Sequence, residues 1–299
     1  MITFKPIEIS DKGIIDSYLS LVNYRNCDFA FASLFCWQAK YKTSFAIIDN
    51  FFVIKYLCDD GLPCFMMPIG EGNLSNALLK IIDEANRLKI RFRIHAVTSD
   101  MFDILNAALP GRFNFQEVRD YFEYVYLRDD LVNLSGKKYQ PKRNHINQFK
   151  KNYPNYQTQR ITQENIDDCR AIYLKWFENH KNNHNDEDLS DETISVMSAF
   201  DNYDELNLRG LILYVDNIPV AFSYGEALTE DTFVVHAEKA LTDIQGAYTL
   251  INQEFSKQIA IGYHYINREE DLGIESLRKA KMSYYPYTML RRGSVCLKE

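Results

Sequence analysis

Three apolar runs in quick succession constrain this chain most: Arg209–Val215, Ile218–Ala227 and Asp231–Lys239. Their turns are Asp216-Asn217 and Glu230-Asp231, and both pairs are turn chemistry. Runs this rich in β-branched and aromatic residues, joined this tightly, predict an antiparallel meander. On the third run, strict alternation sets Val234, His236 and Glu238 on one face and Val235, Ala237 and Lys239 on the other. A histidine and a glutamate on an otherwise apolar strand are the first polar pair that needs a reason.

The rest of the chain alternates helices and strands around that meander. Ile2–Pro6 reads as a strand, and Asp11 opens an amphipathic helix through Ile14, Ile15, Tyr18, Leu19 and Val22. The aromatic run from Asp28 to Lys42 reads as buried. Ser44–Ile48 and Phe51–Leu57 are strands joined at Asp49-Asn50, followed by a strand at Pro63–Pro68. Asn73 starts a helix, Arg91–His95 is a strand, Ser99 caps a helix, and Arg119–Leu127 is a strand. Asp129–Gly136 reads as a linker, with the next unit beginning after it. A strand at Asn155–Arg160, a helix capped by Thr162 and a helix from Ser190 lead into the meander. After it come a helix from Ala247 to Ile259, ended by Gly262, a strand at His264–Ile266 and a last strand at Tyr284–Leu290.

With 299 residues the chain has room for two domains. A net charge of −7 argues against a general nucleic-acid coat, so a local basic patch stands out. Cysteines lie at 27, 36, 58, 64, 169 and 296 with no Cys-x-x-Cys pair. Cys58 and Cys64 flank Asp59-Asp60-Gly61 and can face each other across a hairpin, but all six read as reduced thiols of a cytoplasmic protein. Met1–Pro6 shows no signal-peptide pattern, and no window is apolar enough to span a bilayer. Contact with a membrane surface stays open.

Two polar segments interrupt the core pattern. Lys137, Lys138, Lys142, Arg143, Lys150 and Lys151 fall in one stretch without an acid, with Pro141 suited to a first helical turn. Arg143, Asn147, Lys150 and Lys151 share a helix face next to the one holding Ile146, Phe149 and Tyr153. This is either a solvated face or a phosphate-binding one. The second segment, Tyr265–Pro286, packs Asn267, Arg268, Glu269, Glu270 and Asp271 into one run and Arg278, Lys279 and Lys281 into the next helix. His180 and His184, beside Asp186, Glu187 and Asp188, have a spacing that can hold a metal on a helix, but the surrounding asparagines favour a loop, and no metal site is expected.

The order of elements in each half is similar to the acyltransferase fold of the GCN5-related N-acetyltransferases, used twice. The expected fold class is therefore α/β (α+β): two tandem domains with mixed, mostly antiparallel sheets flanked by helices, at 1–130 and 131–299. In that fold a Gly-bearing loop at a helix N-terminus holds the donor's pyrophosphate. Here Gln245-Gly246-Ala247 stands in that place, with Asp243 where Gln or Arg is usual and Tyr248 where Gly or Ala is usual. Gly136-Lys137-Lys138-Tyr139 with Arg143-Asn144, and Lys279-Ala280-Lys281 followed by Pro286, resemble the C-terminal domain of phosphatidylglycerol lysyltransferases. His236-Ala237-Glu238-Lys239, Gln245 to Tyr248, Ile251 to Phe255 and Ile266 to Glu269 look like the bacterial family DUF2156 of the same superfamily.

The resemblance implies aminoacyl transfer from charged tRNA to a lipid or amine, with no permanently bound cofactor. Acyl-CoA is the alternative donor, and a non-catalytic module for anionic lipid or RNA is the alternative class. Glu238 or His236 would be the general base. They read equally well as an arginine's partner and a satisfied interior histidine. Asn267 and Arg268 would orient the substrate, Arg268 pairing otherwise with Glu269 or Asp271. Lys137, Lys138, Arg143, Arg278, Lys279 and Lys281, with the loop Gln245-Gly246-Ala247, would bind phosphates of tRNA or of an anionic lipid head group at a membrane surface. Oligomeric state is left open, and the first half shows no comparable polar cluster.

Overall fold

The computed structural model describes residues 2–58, 60–180 and 186–298. In chain order the elements are β1 (Lys5–Pro6), α1 (Lys12–Leu19), α2 (Phe31–Cys36), α3 (Gln38–Tyr41), β2 (Ser44–Ile48), β3 (Phe51–Leu57), β4 (Pro63–Phe65), β5 (Ile69–Gly70), α4 (Leu74–Arg87), β6 (Arg93–Thr98), α5 (Ser99–Ala108) and β7 (Phe113–Glu117). They continue with β8 (Glu123–Leu127), α6 (Arg128–Asn133), α7 (Gln140–Asn152), β9 (Tyr156–Arg160), α8 (Ile166–His180), α9 (Asp186–Asp201), β10 (Arg209–Val215), β11 (Ile218–Ala227), β12 (Thr232–Ala240), α10 (Ala247–Gln258), β13 (Tyr265–Asn267), α11 (Glu275–Met282), β14 (Thr288–Leu290) and β15 (Arg292–Leu297).

The chain forms two compact units. The first holds Met1–Glu123, Glu270–Arg278 and Met289–Glu299; the second holds Tyr124–Glu269 and Lys279–Thr288. The units therefore do not follow a cut at 130/131, because each sheet takes a strand from far along the chain. One sheet runs β1-β2-β3-β4-β6-β15-β7 with β5 beside β3; the other runs β14-β8-β13-β12-β11-β10-β9. Each contains a parallel step, β4 with β6 and β12 with β13. In the first unit β15 enters between β6 and β7, antiparallel to both. In the second β8 runs antiparallel to β13.

Local chemistry explains much of this. Asp49-Asn50 and Asp216-Asn217 both adopt left-handed φ (49° and 65° in each pair), the geometry of two-residue hairpins whose twist matches their strands. Asn73 caps α4 by accepting from Asn76 N–H at 3.1 Å. The cap of α5 is Thr98, one residue earlier than Ser99, accepting from Met101 N–H at 3.4 Å. Asp129–Gly136 is not a plain linker: α6 forms there, with Asp129 and Asp130 in its first turn and Leu131 buried. Arg119–Leu127 is strand only from Glu123 onward, and β7 and β15 were not foreseen. Cys58 and Cys64 are joined as a disulfide with Cα atoms 6.4 Å apart, so the reading of six thiols is corrected for this pair. The hairpin brings them together, since Cys64 pairs with Tyr56 across β3 and β4. His184 lies outside the described residues, as does the side chain of His180.

Candidate functional site

The meander of the second unit contains the feature that organises its polar residues. Along β11 and β12, Tyr224 faces Ala237 and the next residue, Gly225, faces Val235. His236 is thus an extra residue, a β-bulge on β12. The bulge shifts the side-chain alternation, so Val234, His236 and Glu238 do not share one face. Phe233, before the bulge, packs edge-to-face with Phe255 of α10, with ring centroids 5.7 Å apart. Glu238, after it, also reaches α10, accepting from Asn252 Nδ2 at 2.9 Å. Lys239 packs on α8, its Nζ 3.5 Å from the Trp176 ring centroid and 2.8 Å from Glu192 Oε1. Gly225 permits the bulge: a Cβ there would lie 1.8 Å from the Val234 carbonyl oxygen. A glycine inside a strand was the available signal.

His236 is clamped. Its Nδ1 is 2.9 Å from Glu269 Oε1 and its Nε2 is 3.0 Å from Glu226 Oε1. Burial works against its charge, but the bonds to Glu226 and Glu269 outweigh it and raise the imidazole to about 9. With both nitrogens donating to carboxylates, His236 has no nitrogen left to accept a proton and cannot be the general base. Asn267 is fully buried, and its Oδ1 accepts from Glu269 N–H at 2.7 Å. That bond steadies a backbone turn (Glu269 φ 57°) that delivers Glu269 to His236. Glu226 and Glu269 are thus the partners of His236 that period-two counting missed.

Glu238 lies between Asn252 and Arg268, whose Nη2 donates to Oε1 at 2.9 Å. Arg268 therefore pairs with Glu238 and not with Glu269 or Asp271. Its guanidinium lies against Tyr284 and Tyr126, at 5.0 and 5.6 Å from the ring centroids. Three buried atoms near Glu238 have no hydrogen-bond partner among the described residues: Asn252 Oδ1, Arg268 Nη1 and the hydroxyl of Ser223, the residue opposite Glu238 on β11. Lys142 of α7 comes to the same Tyr284 ring, 3.8 Å from its centroid, and donates to Ser283 Oγ at 2.7 Å. Burial, aided by Arg268, holds Lys142 down to about 8.

The other expected phosphate binders divide into two kinds. Arg143 bonds the Leu134 carbonyl, the Gly136 carbonyl at 2.8 Å and Gln140 Oε1 at 2.5 Å, which staples the turn before α7. Lys281 is buried and donates to the Arg268 carbonyl at 2.6 Å. Arg278, in the first unit, bridges Asp271 and Asp120 at 2.7 Å each. These three are committed internally. Lys137, Lys138, Lys150, Lys151 and Lys279 are exposed. At the loop before α10, Gly246 (φ 90°) is needed for packing, since a Cβ would lie 2.8 Å from the His145 carbonyl oxygen of α7. Ala247 N–H is spent on the Ile244 carbonyl at 3.2 Å. Gln245 is exposed, but this loop offers less to a pyrophosphate than its sequence suggested.

The first unit does contain a polar cluster, assembled from Asp28, Glu123, Glu270 and Arg292, which are scattered along the chain. Arg292, 3% exposed, bonds Asp28, Glu123 Oε1 at 2.9 Å, Glu270 Oε2 at 2.8 Å and the Tyr121 carbonyl at 2.5 Å. Cys27, Asp28 and Glu123 place ligand-type atoms within 4.8 Å of one another, but the guanidinium already supplies the cation there.

This strand order, repeated in both units, defines an acyltransferase fold of the GCN5-related type in tandem. The chain belongs to the family described as phosphatidylglycerol lysyltransferase, C-terminal, whose model matches residues 19–292. It is similar to a conserved protein of unknown function from Bacteroides thetaiotaomicron VPI-5482, at 43% identity over all of both chains and a TM-score of 0.93. It is also similar to an uncharacterized protein of Mycoplasmoides gallisepticum, 26% identical over 180 residues that make up 56% of this chain and 54% of the other. The match thus spans about half the length of that curated relative. The structure of L-PGS from Bacillus licheniformis shares the fold, with a TM-score of 0.67 at 13% identity over 100% of this chain and 94% of that one. No helix among the described residues is long and apolar enough to cross a membrane.

Proposed function

We propose that the second unit transfers an aminoacyl group from charged tRNA to an amine or hydroxyl, a lipid head group being the first acceptor to try. The observation that carries this reading is the half-spent polar set at Glu238. Its carboxylate is held by Arg268 and Asn252 and keeps lone pairs to spare, beside the unpartnered Asn252 Oδ1 and Ser223 Oγ. An unmet buried polar atom costs about 1–3 kcal/mol, so a cluster serving packing alone would be expected to close. Spare acceptors suit an attacking N–H or O–H, and the Arg268 guanidinium suits the oxygen charge that develops at an ester carbonyl. Family membership supports acyl transfer. The occupied loop at Gly246, with Asp243 near it, argues against acyl-CoA as donor. The exposed lysines Lys137, Lys138, Lys150 and Lys151 suit a polyanionic donor.

The test is binding of bulk charged tRNA and of acetyl-CoA in a salt series, on the wild type and on Lys137→Ala/Lys151→Ala. The expected result is salt-sensitive tRNA binding whose log–log slope falls by about 1–2 in the double variant. Saturable CoA binding that ignores both lysines would return the protein to acyl-CoA chemistry.

A further inference from the structure

Acyl transfer to an amine or hydroxyl needs a group that takes a proton, and the polar set leaves that role unfilled. His236 has both nitrogens on carboxylates. Each Glu238 oxygen carries a hydrogen bond from Arg268 or Asn252, and its remaining lone pairs serve to orient the attacking N–H or O–H. We propose that the Lys142 amine is the proton acceptor of this site, an inference that rests on the transfer reaction proposed above. Lys142 is half-buried, and the Ser283 hydroxyl, itself donating to the Ala280 carbonyl at 2.6 Å, is its one hydrogen-bond partner among the described residues. No carboxylate among the described residues lies within the 4 Å of an ion pair; Glu238 on β12 acts on it only at longer range. Facing it are the Tyr284 ring at 3.8 Å and, against that ring, the Arg268 guanidinium. A cation with no close anion, held beside another cation, loses its proton readily.

The acceptor's oxygen or nitrogen bonds to the ester carbonyl carbon, and its proton moves to Lys142 Nζ. The bond from that carbon to the ribose oxygen breaks, and the proton returns to the departing ribose hydroxyl.

Lys142→Arg separates this role from a structural one. Arginine stacks on Tyr284 as well as lysine does but stays protonated, so a mere strap survives the change and a proton acceptor does not. The experiment has two arms. In the first, acetic anhydride labels the amines of the intact protein from pH 6 to 10, read peptide by peptide by mass spectrometry. Lys142 should acquire reactivity near pH 8, well below the range of a free lysine side chain. A Lys142 profile matching that of a free lysine side chain would overturn the proposal, whatever reaction the protein catalyses. In the second, Lys142→Arg should fold with an unchanged melting temperature, bind charged tRNA as the wild type does, and lose about 100-fold or more in transfer together with the rate rise around pH 8. Lys142→Arg at wild-type rate with an intact pH profile would also overturn it. Absence of transfer in the wild type with a reactive Lys142 would point to failure of the aminoacyl reading and not of the amine.

Discussion

Arg292 in the first unit and Arg268 in the second are each set against carboxylate, and their surroundings differ. In the first, Arg292 is met by Asp28, Glu123 and Glu270 and by the Tyr121 carbonyl, and nothing about its guanidinium is left to offer a ligand. In the second, Arg268 meets one carboxylate, Glu238, and otherwise lies against tyrosine rings. The same residue types close on one another when donors and acceptors are matched and leave polar atoms open when they are not. The polar run from Asn267 to Arg278 serves both: Asn267, Arg268 and Glu269 belong to the second unit, Glu270, Asp271 and Arg278 to the first.

If the first cluster is a lock, removing its cation should produce the largest stability change in the molecule. Arg292→Met leaves Asp28, Glu123 and Glu270 facing one another in a buried place. It should destabilise by about 3–5 kcal/mol in urea unfolding, the range for breaking a buried ion pair from one side. A shift under about 1 kcal/mol would mean that water already reaches these carboxylates, and the contrast between the units would fail.

The His236 clamp should give a smaller effect that depends on pH. Its pKa in the fold is raised from 6.5 to about 9, so the folded state holds the proton more tightly. The contribution is complete below about pH 6.5 and is lost as pH rises through about 9, amounting to roughly 3 kcal/mol. Urea midpoints of the wild type should fall across that window relative to those of His236→Gln, which cannot titrate. Parallel profiles would show that Glu226 and Glu269 do not hold an imidazolium.

Much of the fold was legible because it is local. The hairpins at Asp49-Asn50 and Asp216-Asn217, the cap at Asn73 and the meander boundaries all follow from short-range chemistry, and β2, β3, β10 and β11 lie where expected. What was not legible depends on residues far apart. β15 was hidden because Arg292, Gly293 and Ser294 break the apolar alternation. Gly293 is required by a close approach, since a Cβ would lie 2.0 Å from the Gln116 carbonyl oxygen on β7. The Arg292 cluster was missed because its members are separated by up to 264 positions. At the site, Glu238 and Arg268 were found as candidates from their types alone. Their pairing was not, because the bulge at His236 changes which residues share a face. Arg143, Arg278 and Lys281 show the converse, basic residues whose bonding partners are set by the fold and not by the charge pattern.

The central claim is that the open set at Glu238 does chemistry and the closed set at Arg292 does not. The direct measurement is transfer of labelled aminoacyl groups from bulk charged tRNA to a lipid extract by the wild type and by Glu238→Gln, with tRNA affinity measured on both. Glutamine keeps the size of the side chain and a hydrogen bond to Arg268 but lacks the charge. Loss of the charge that orients the attacking group and holds Arg268 should lower transfer by about 100-fold or more with affinity unchanged. Transfer at the wild-type rate in Glu238→Gln would contradict it. Tight binding without transfer by the wild type would contradict it as well, and would make the second unit a binding module.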